Sequence, residues 1–253
     1  LLLQDMISCA KPTTLPLKRS IASSPSVTQC SSSDLESAHA RLTAGAAARG
    51  SATIIMSTKE QVAVIVPAAG QGTRMGGHRK QFRVLGGKSV LVQTLLVFER
   101  HAQVDHIIVA TPADAVEPLG EELRRVGISK ILEVVAGGDS RQASVREALK
   151  IVPDSVDVVL IHDAVRPFVR MSSVQRVIDE TRLNGAASMA LAITDTVRKI
   201  KGSEGQVIFG ETVPREELVR VQTPQGFRTE WIRKAHQRAD EEGGSATDDV
   251  DLV

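Results

Sequence analysis

The sequence predicts an α/β fold for most of the chain, with a mostly parallel sheet covered by helices on both faces. From Gln61 onward, short runs rich in β-branched residues alternate with stretches whose apolar residues recur at helical spacing. The predicted strands are apolar at nearly every position, which is typical of parallel strands buried on both sides. Ligands of such sheets bind beyond the carboxyl ends of the strands, so we expect a site among the loops there.

Each predicted element follows from its local pattern. Five apolar runs predict strands at residues 62–66, 106–110, 131–136, 157–161 and 186–193. Four amphipathic stretches predict helices at residues 89–101, 115–126, 140–152 and 172–183. In the first helix Leu91, Leu95 and Phe98 fall on one face, as the helical period requires. In the third helix Val145 and Leu149 do the same.

One stretch interrupts the alternation of strands and helices. Residues 196–201 and 206–210 form two strand patterns joined by a Gly-Ser turn, which predicts a β-hairpin that projects from the body. A two-stranded ribbon is marginal by itself in water. We therefore expect this arm, at about residues 194–215, to pack on a second copy of the chain and make a homodimer.

Composition limits the classes of partner. The 253 residues allow one sizeable domain plus an extension. The formal net charge is only +1, and aromatic residues make up 2% of the chain, without a tyrosine, so nucleic acid is not an expected partner. No apolar run approaches the length of a membrane span, and we expect no membrane association.

Residues 1–58 differ in composition from the rest. They hold many Ser, Thr and Ala residues, no aromatic residue, and only the acids Asp5, Asp34 and Glu36. This composition predicts a disordered leader that serves as an organelle transit peptide, or else a disordered tail without an address. The predicted folded domain, residues 59–253, has no cysteine, because Cys9 and Cys30 both lie in the leader.

The loop after the first predicted strand carries the most informative chemistry. Gly70 and Gly72 open a concavity of backbone N–H groups suited to phosphate oxygens, and Arg74 and Lys80 add two fixed cations. That much positive charge suits a nucleoside triphosphate. A dinucleotide fingerprint would need a third glycine where Met75 stands, and no P-loop motif occurs in the chain. A plain Gly-rich turn is the remaining alternative.

A second loop of small and polar residues follows the third predicted strand. Gly137, Gly138 and Asp139 lead into a helix that carries Ser144. The glycines let the backbone approach a ligand closely, and Asp139 and Ser144 are suited to hydrogen bonds with a base or ribose. The alternative is that Asp139 only begins the helix.

A third loop follows the fourth predicted strand. Asp163 is suited to hold Mg²⁺ directly or through water, and Arg166 adds a cation beside it. Alternatively, Asp163 caps the strand and Arg166 lies in an ordinary turn. His162 is interpreted as a structural hydrogen-bonding residue, since no second His or Cys has ligand spacing with it.

Taken together, the motifs resemble the 2-C-methyl-D-erythritol 4-phosphate cytidylyltransferase family from about Gln61 to the end of the chain. The motifs are Pro67-Ala-Ala-Gly-x-Gly-x-Arg-Met75 with Lys80-Gln81, Gly137-Gly138-Asp139-x-Arg141-x-x-Ser144-Val145, His162-Asp163-Ala164-x-Arg166-Pro167, Asp195-Thr196, Gln222-Thr223-Pro224-Gln225 and Thr247-Asp248. The first motif is shared by many sugar-nucleotide pyrophosphorylases, and the second and third narrow the resemblance to cytidylyltransferases. Ribitol 5-phosphate cytidylyltransferases share much of the set and are the close alternative.

The resemblance implies a Rossmann-like nucleotidyltransferase fold and a role for each matched residue. The implied CTP-binding residues are Ala68, Ala69, Gly70, Gly138, Asp139, Ser144, Asp163 and Ala164. Arg74 and Lys80 would stabilise the five-coordinate phosphorus, and Asp163 would hold Mg²⁺. Arg166, Thr196 and Thr247 would hold the methylerythritol phosphate, and Arg215 would reach the substrate of the partner subunit.

The implied reaction is attack of the 4-phosphate of methylerythritol on the α-phosphate of CTP, with release of pyrophosphate. A phosphate monoester is already ionised at neutral pH, so the reaction needs no activating base. A hypothesis from another class is a non-catalytic CTP-binding homologue that acts through its dimer surface. The joint presence of Arg74, Lys80, Asp163 and Arg166 favours the enzyme, because a binding module has no need of a transition-state clamp.

The resemblance also raises expectations about the ends of the chain. The family continues after the Thr247-Asp248 motif through a further strand, a phosphate-contacting lysine and a C-terminal helix, so we expect this chain to be a fragment. A transit-type leader on such an enzyme predicts the plastid (chloroplast) stroma as its location.

Overall fold

The computed structural model describes residues 5–8, 59–70, 79–202, 207–244, 246 and 248–253. Two units divide the chain, one comprising Leu1–Lys11 with Glu60–Val253, and the other Pro12–Lys59. All the described strands and helices belong to the first unit. Arg74 and Thr247, both predicted to act in the site, lie outside the described residues.

Eleven strands and five α-helices are described in these ranges. The strands are β1 (Asp5–Ser8), β2 (Gln61–Pro67), β3 (Val84–Leu85), β4 (Lys88–Ser89), β5 (His106–Thr111), β6 (Ile131–Ala136), β7 (Val156–Ile161), β8 (Ala186–Ala192), β9 (Val197–Lys201), β10 (Ile208–Val213) and β11 (Val219–Arg228). The helices are α1 (Val90–Glu99), α2 (Val116–Val126), α3 (Arg141–Leu149), α4 (Met171–Asn184) and α5 (Thr229–Glu241).

Seven of these strands form one sheet in the order β1-β8-β11-β7-β2-β5-β6. The strands β7, β2, β5 and β6 pair in parallel, while β11 pairs antiparallel with both β7 and β8, and β1 pairs antiparallel with β8. Five of the seven strands therefore run in one direction, which confirms the mostly parallel sheet. The carboxyl ends of β2, β5, β6 and β7 meet at a single edge.

Helices cover both faces of this sheet, as predicted. Val62, Val64 and Val66 of β2 pack in one core with apolar residues of α1, α2 and α4. Ala63 and Ile65, which point to the opposite face, pack in a second core with residues of α3 and α5. A strand buried on both sides needs an apolar residue at every position, and this explains the continuous apolar run that identified β2.

The strand β11, which makes the antiparallel pairings with β7 and β8, was missed in the sequence. A ten-residue strand, β11, contains Pro224 and Gly226, which the strand pattern reads as breakers. In the structure the pairing of β11 with β8 shifts register between Val221 and Gln225, so Pro224 lies in an irregularity that tolerates a residue without an N–H. The helix α5 that follows β11 was not predicted either.

The predicted arm is present as an antiparallel hairpin of β9 and β10, which form a separate two-stranded sheet. Its second strand extends to Val213, beyond the predicted end at Gly210. Large apolar side chains on both strands of the hairpin face solvent: Ile200 on β9 is 70% exposed and Phe209 on β10 is 77% exposed. Dimerisation through this arm stays a prediction.

Part of the predicted leader pairs with the sheet. The four residues of β1, Asp5–Ser8, pair antiparallel with β8 at the edge of the sheet, and the disordered leader stays a prediction. The rest of the leader lies outside the described residues, and the transit peptide stays a prediction. In the described parts of the chain, no helix has the length and apolar character to cross a membrane.

Candidate active site

A cleft of about 850 Å³ opens at the carboxyl ends of β2, β5, β6 and β7. Its walls are the three loops that the sequence singled out, together with residues 112–114 after β5. Nine of the predicted site residues line it: Ala68, Ala69, Gly70, Lys80, Gly138, Asp139, Ser144, Asp163 and Ala164. All eight residues predicted to bind CTP and one of the two predicted to act on phosphorus thus meet in one cavity.

The wall formed by residues 137–144 requires glycine at two positions. A Cβ atom at Gly137 would lie 2.5 Å from the Cβ of Ala69 and 2.8 Å from Oγ of Ser144. A Cβ atom at Gly138 would lie 2.5 Å from the Cβ of Ala143. The glycines therefore let this loop lie directly against α3 and the first loop, where the Cβ atom of any other residue would clash.

The start of α3 is fixed by its own side chains. The Ser140 hydroxyl accepts a hydrogen bond from the Ala143 N–H at 2.9 Å, so Ser140 is the N-cap. The buried Ser144 hydroxyl donates to the Ser140 carbonyl oxygen at 2.8 Å. Its oxygen keeps lone pairs for a ligand, while Asp139 lies on the cleft wall just before the cap.

The Asp163 carboxylate is held between two arginines. Its Oδ2 accepts a hydrogen bond from Nε of Arg166 at 2.8 Å, and its Oδ1 accepts from Nε of Arg141 at 3.4 Å. Burial acts to raise the pKa of Asp163, but the charge of Arg141 and the hydrogen bond and charge of Arg166 outweigh it, so the pKa lies below its ordinary value. The carboxylate is therefore ionised at neutral pH.

His162 is a structural hydrogen-bonding residue, as its sequence context indicated. Its Nε2–H donates to the Arg166 carbonyl oxygen at 3.1 Å, and its Nδ1 accepts from the Thr223 hydroxyl at 3.1 Å. The same hydroxyl accepts from the Asp163 N–H at 3.2 Å. Burial lowers the pKa of His162 to about 4, so the ring is neutral and ties β11 to the loop that carries Asp163.

A second buried network reaches the cleft from the end of the described chain. Arg141 donates through Nη1 to Oδ2 of Asp249, whose Oδ1 accepts from Nε2 of His236 at 3.1 Å. The Asp249 N–H donates to Oε1 of Gln225 at 3.3 Å. Sequence reasoning missed Asp249 and His236, because they lie far from Arg141 along the chain and match no local motif.

The three described residues that were predicted to bind the acceptor do not line this cleft. Arg166 lines a neighbouring cavity of about 480 Å³ and donates through Nη1 to Oε1 of Gln222. Thr196 is exposed at the base of the arm, and Arg215 donates to the Thr194 carbonyl oxygen at 2.6 Å. Among these three described residues, Arg166 is the one bonded to a residue of the cleft, Asp163.

The groups around Asp163 indicate whether this site can hold the predicted Mg²⁺. The described residues contain no group of three or more His, Cys, Asp or Glu side chains that would cage a metal by themselves. Mg²⁺ is commonly held by one or two carboxylates together with substrate phosphates. Both oxygens of Asp163 already accept from arginines, but each keeps a lone pair. The site therefore fits a cation held chiefly by phosphate oxygens, with Asp163 as its carboxylate.

Comparison with known proteins gives one consistent result. The family model described as "IspD: 2-C-methyl-D-erythritol 4-phosphate cytidylyltransferase" matches residues 62–253. A curated relative of that name from Salinibacter ruber is 51% identical over 192 residues, which cover 76% of this chain and 79% of the relative. Another, from Halalkalibacterium halodurans, is 41% identical over 194 residues, covering 76% of this chain and 83% of the relative.

Solved structures agree with the sequence relatives. The 2-C-methyl-D-erythritol 4-phosphate cytidylyltransferase of Thermus thermophilus superposes with a TM-score of 0.61 at 36% identity, covering 76% of this chain and 82% of that chain. The 4-diphosphocytidyl-2C-methyl-D-erythritol synthase of Anaerococcus prevotii superposes with a TM-score of 0.65 at 28% identity, covering 77% of this chain and 81% of that chain.

Proposed function

The chain belongs to the 2-C-methyl-D-erythritol 4-phosphate cytidylyltransferase family, and from this premise we propose that it transfers CMP from CTP to 2-C-methyl-D-erythritol 4-phosphate. The products are 4-diphosphocytidyl-2-C-methyl-D-erythritol and pyrophosphate, in isoprenoid precursor biosynthesis. The observation that carries the proposal is the single cleft lined by all eight predicted CTP-binding residues and Lys80.

The nucleotide binds in the cleft with its base and ribose against one wall and its phosphates against the other. Asp139 and Ser144 on the α3 side supply the polar groups for cytosine and ribose. On the opposite side, the backbone of residues 68–70 begins the Gly-rich loop, whose N–H groups suit the triphosphate oxygens. Lys80, which follows this loop along the chain, lines the same wall and adds a positive charge there.

Chemistry at phosphorus in this site depends on charge and position rather than on a base. The acceptor phosphate and the triphosphate repel each other, and fixed cations lower that barrier. Lys80 and Arg74 are the proposed stabilisers of the five-coordinate phosphorus. Mg²⁺, when bound with Asp163 as its carboxylate, supplies further positive charge to the phosphate oxygens.

The acceptor binds on the Arg166 side of the cleft. Arg166 lies beside Asp163 at 2.8 Å, so an acceptor phosphate paired with this guanidinium is adjacent to the nucleotide site. Thr196, Arg215 and Thr247 complete the proposed acceptor pocket. Because Thr196 and Arg215 lie at the base of the arm and not in the cleft of their own chain, the proposal includes a homodimer that brings Arg215 to the partner's acceptor.

The proposal is tested by pyrophosphate release from CTP and Mg²⁺ by the full chain, with methylerythritol 4-phosphate and ribitol 5-phosphate as separate acceptors. Release with methylerythritol 4-phosphate alone is the expected result. Release with ribitol 5-phosphate alone would assign the chain to the other cytidylyltransferase class. CTP binding without release in either reaction would support a non-catalytic homologue. Replacing Mg²⁺ by a chelator is expected to abolish release.

The plastid stroma is the proposed location. Support comes from the Ser-rich, acid-poor composition of residues 1–58, while the relatives compared above are bacterial. Fusion of residues 1–58 to a fluorescent reporter in plant cells is expected to place the reporter in chloroplasts. A reporter that stays in the cytosol would contradict the proposed location without bearing on the reaction.

A further inference from the structure

The two ends of the phosphate-binding loop are joined by one side chain, that of Gln81. The loop leaves β2 through Ala68 and Gly70 and returns at Arg79, and residues 71–78 lie outside the described residues. The amide nitrogen of Gln81 donates to the Ala68 carbonyl oxygen at 2.7 Å and to the Gly70 carbonyl oxygen at 3.1 Å. An amide NH₂ group has two donors, so both are used on the start of this loop.

Gln81 is itself held firmly. It is 4% exposed and lies in a single 3₁₀ turn, Lys80–Phe82, in which the Arg83 N–H donates to the Lys80 carbonyl oxygen at 3.2 Å. The next side chain, Phe82, packs against the core that includes α1. The position of the Gln81 amide is therefore set by the body of the protein, and the residue before it is Lys80.

The two hydrogen bonds from Gln81 orient the peptide groups that contain the accepting carbonyls, including their N–H groups. A peptide unit is planar and trans, so fixing the Ala68 carbonyl toward Gln81 also fixes the N–H of Ala69, which points the opposite way. The Ala68 N–H is bonded in turn to the Ala110 carbonyl oxygen at 2.6 Å. The first turn of the loop is thus fixed from both sides, and the same anchor carries Lys80.

We infer that Gln81 is a positioning residue that holds the start of the phosphate loop and Lys80 in one fixed geometry, so that backbone N–H groups and the ammonium group act on the same triphosphate. The inference rests on the proposed function for its kinetic consequences. Its structural consequence, a fixed loop start, does not depend on turnover.

The test uses Gln81→Met, which keeps the length and burial of the side chain but has no donor, and Gln81→Asn, whose shorter amide reaches at most one carbonyl oxygen. Gln93→Met is the matched control, because Gln93 also donates to a main-chain carbonyl, that of Leu85 at 2.8 Å, but lies outside the cleft. Hydrogen exchange of the segment that spans residues 68–79 is measured on the full chain without nucleotide. Faster exchange in Gln81→Met, but not in Gln93→Met, is expected.

Turnover gives the second readout. The kcat of Gln81→Met is expected to fall about 10²-fold, which is comparable to the loss of one preorganised stabiliser. The KM for CTP should change less. The kcat of Gln81→Asn is expected to lie between those of Gln81→Met and the wild type. Because Gln81 positions both Lys80 and the backbone N–H groups of the loop start, the Gln81→Met change should lower kcat by a smaller factor in a Lys80→Ala background than in the wild type. Losses that multiply would overturn the inference, as would a Gln81→Met protein with unchanged exchange and unchanged kcat.

Failure of the proposed function would look different. A wild-type chain that releases no pyrophosphate with either acceptor contradicts the proposed reaction and removes the kinetic arm. The exchange arm then decides alone: unchanged exchange at residues 68–79 in both Gln81 variants overturns the role of Gln81, and faster exchange supports it. If Gln81→Met does not fold, Gln81→Asn provides the same two comparisons.

Discussion

The nucleotide cleft and the hairpin arm are held in opposite ways. Around the cleft, polar groups are buried and bonded within one chain: Gln81 is 4% exposed and Asp249 1% exposed. The described part of the arm is held by its own ladder and by exposed side-chain contacts such as that of Lys199 with Glu211, and Phe209 on it is 77% exposed. The cleft is therefore preorganised by its own fold, whereas the arm presents an apolar surface that a second copy of the chain can cover. Changes in the two regions should have different signatures.

The largest expected effect is at Lys80. Lys80→Ala removes the only described lysine on the cleft wall, and kcat is expected to fall about 10²–10³-fold with little change in CTP affinity. Steady-state pyrophosphate release and calorimetric CTP binding measure the two quantities. Lys88→Ala, an exposed lysine on β4, is the matched control and should leave both unchanged. An unchanged kcat in Lys80→Ala would remove Lys80 from the chemistry.

A second comparison sets a buried ion pair of the cleft against an exposed one of the arm. Asp249→Ala leaves Arg141 and His236 without their shared partner, and we expect the free energy of unfolding to fall by about 3 kcal/mol, together with weaker CTP binding. Glu211→Ala removes the exposed pair with Lys199 and should cost less than about 1 kcal/mol. Urea unfolding of both variants measures the difference. Equal losses would contradict the contrast between the two regions.

Lowering the pH is expected to reduce the free energy of unfolding through His162. The pKa of this buried histidine is lowered from 6.5 to about 4, so between these pH values the unfolded chain binds a proton that the folded chain does not. The free energy of unfolding is therefore expected to decline as the pH falls from about 6.5 to about 4, with a contribution of about 3 kcal/mol from this residue at the lower end. Above pH 6.5 the residue contributes no pH dependence.

Unfolding measured across that pH range tests the assignment. His162→Asn should flatten the dependence, and His106→Asn, on β5, serves as the control for loss of a histidine elsewhere in the sheet. A slope that is the same in the wild type and in His162→Asn would show that other groups cause it. Asp163 acts in the same direction at lower pH: because its pKa lies below its ordinary value of 3.8, the stability that its two arginine pairs provide is lost as the pH falls below that value.

The smallest effect on the single chain is expected in the arm. Phe209→Ser should change the free energy of unfolding of the monomer by less than about 0.5 kcal/mol, because the side chain is exposed. The same change should convert a dimer to a monomer, as measured by sedimentation. Leu183→Ser, on α4 and 79% exposed, is the matched control and should leave the oligomeric state unchanged. A wild-type chain that sediments as a monomer would contradict the proposed role of the arm.

The contrast between regions also explains what the sequence could predict. The strands β2, β5 and β7 are buried on both faces, so each carries its own apolar signal, whereas β6 at the edge of the sheet is only partly buried. The loops at the ends of these four strands converge by topology alone. The strand β11 was missed because Pro224 and Gly226 look like breakers until the irregular pairing with β8 is known. The local sequence pattern predicts structure well where every residue of a segment has similar surroundings, as in a strand buried on both faces. It predicts structure less well where a single residue is accommodated by its pairing with a distant strand.

Side-chain networks were predicted least well. The motif that contains Lys80 and Gln81 was recognised, but the bonds from Gln81 back to Ala68 and Gly70 depend on how the loop closes. Likewise, Arg141 and Asp249 are 108 residues apart, and no period or spacing in one sequence connects them. The residues that line the cleft were predictable from the loop motifs and from the family resemblance that these motifs carry, whereas the residues that hold the lining in place required the fold.

The most direct test of the account follows the α-phosphorus of CTP. CTP labelled at that phosphate is incubated with the full chain, Mg²⁺ and methylerythritol 4-phosphate, and the products are separated. The account predicts that the label appears in the cytidine diphosphate sugar alcohol, that the released pyrophosphate is unlabelled, and that Lys80→Ala forms the product far more slowly. Label released as free CMP, or label that stays in CTP while the nucleotide is bound, would contradict it.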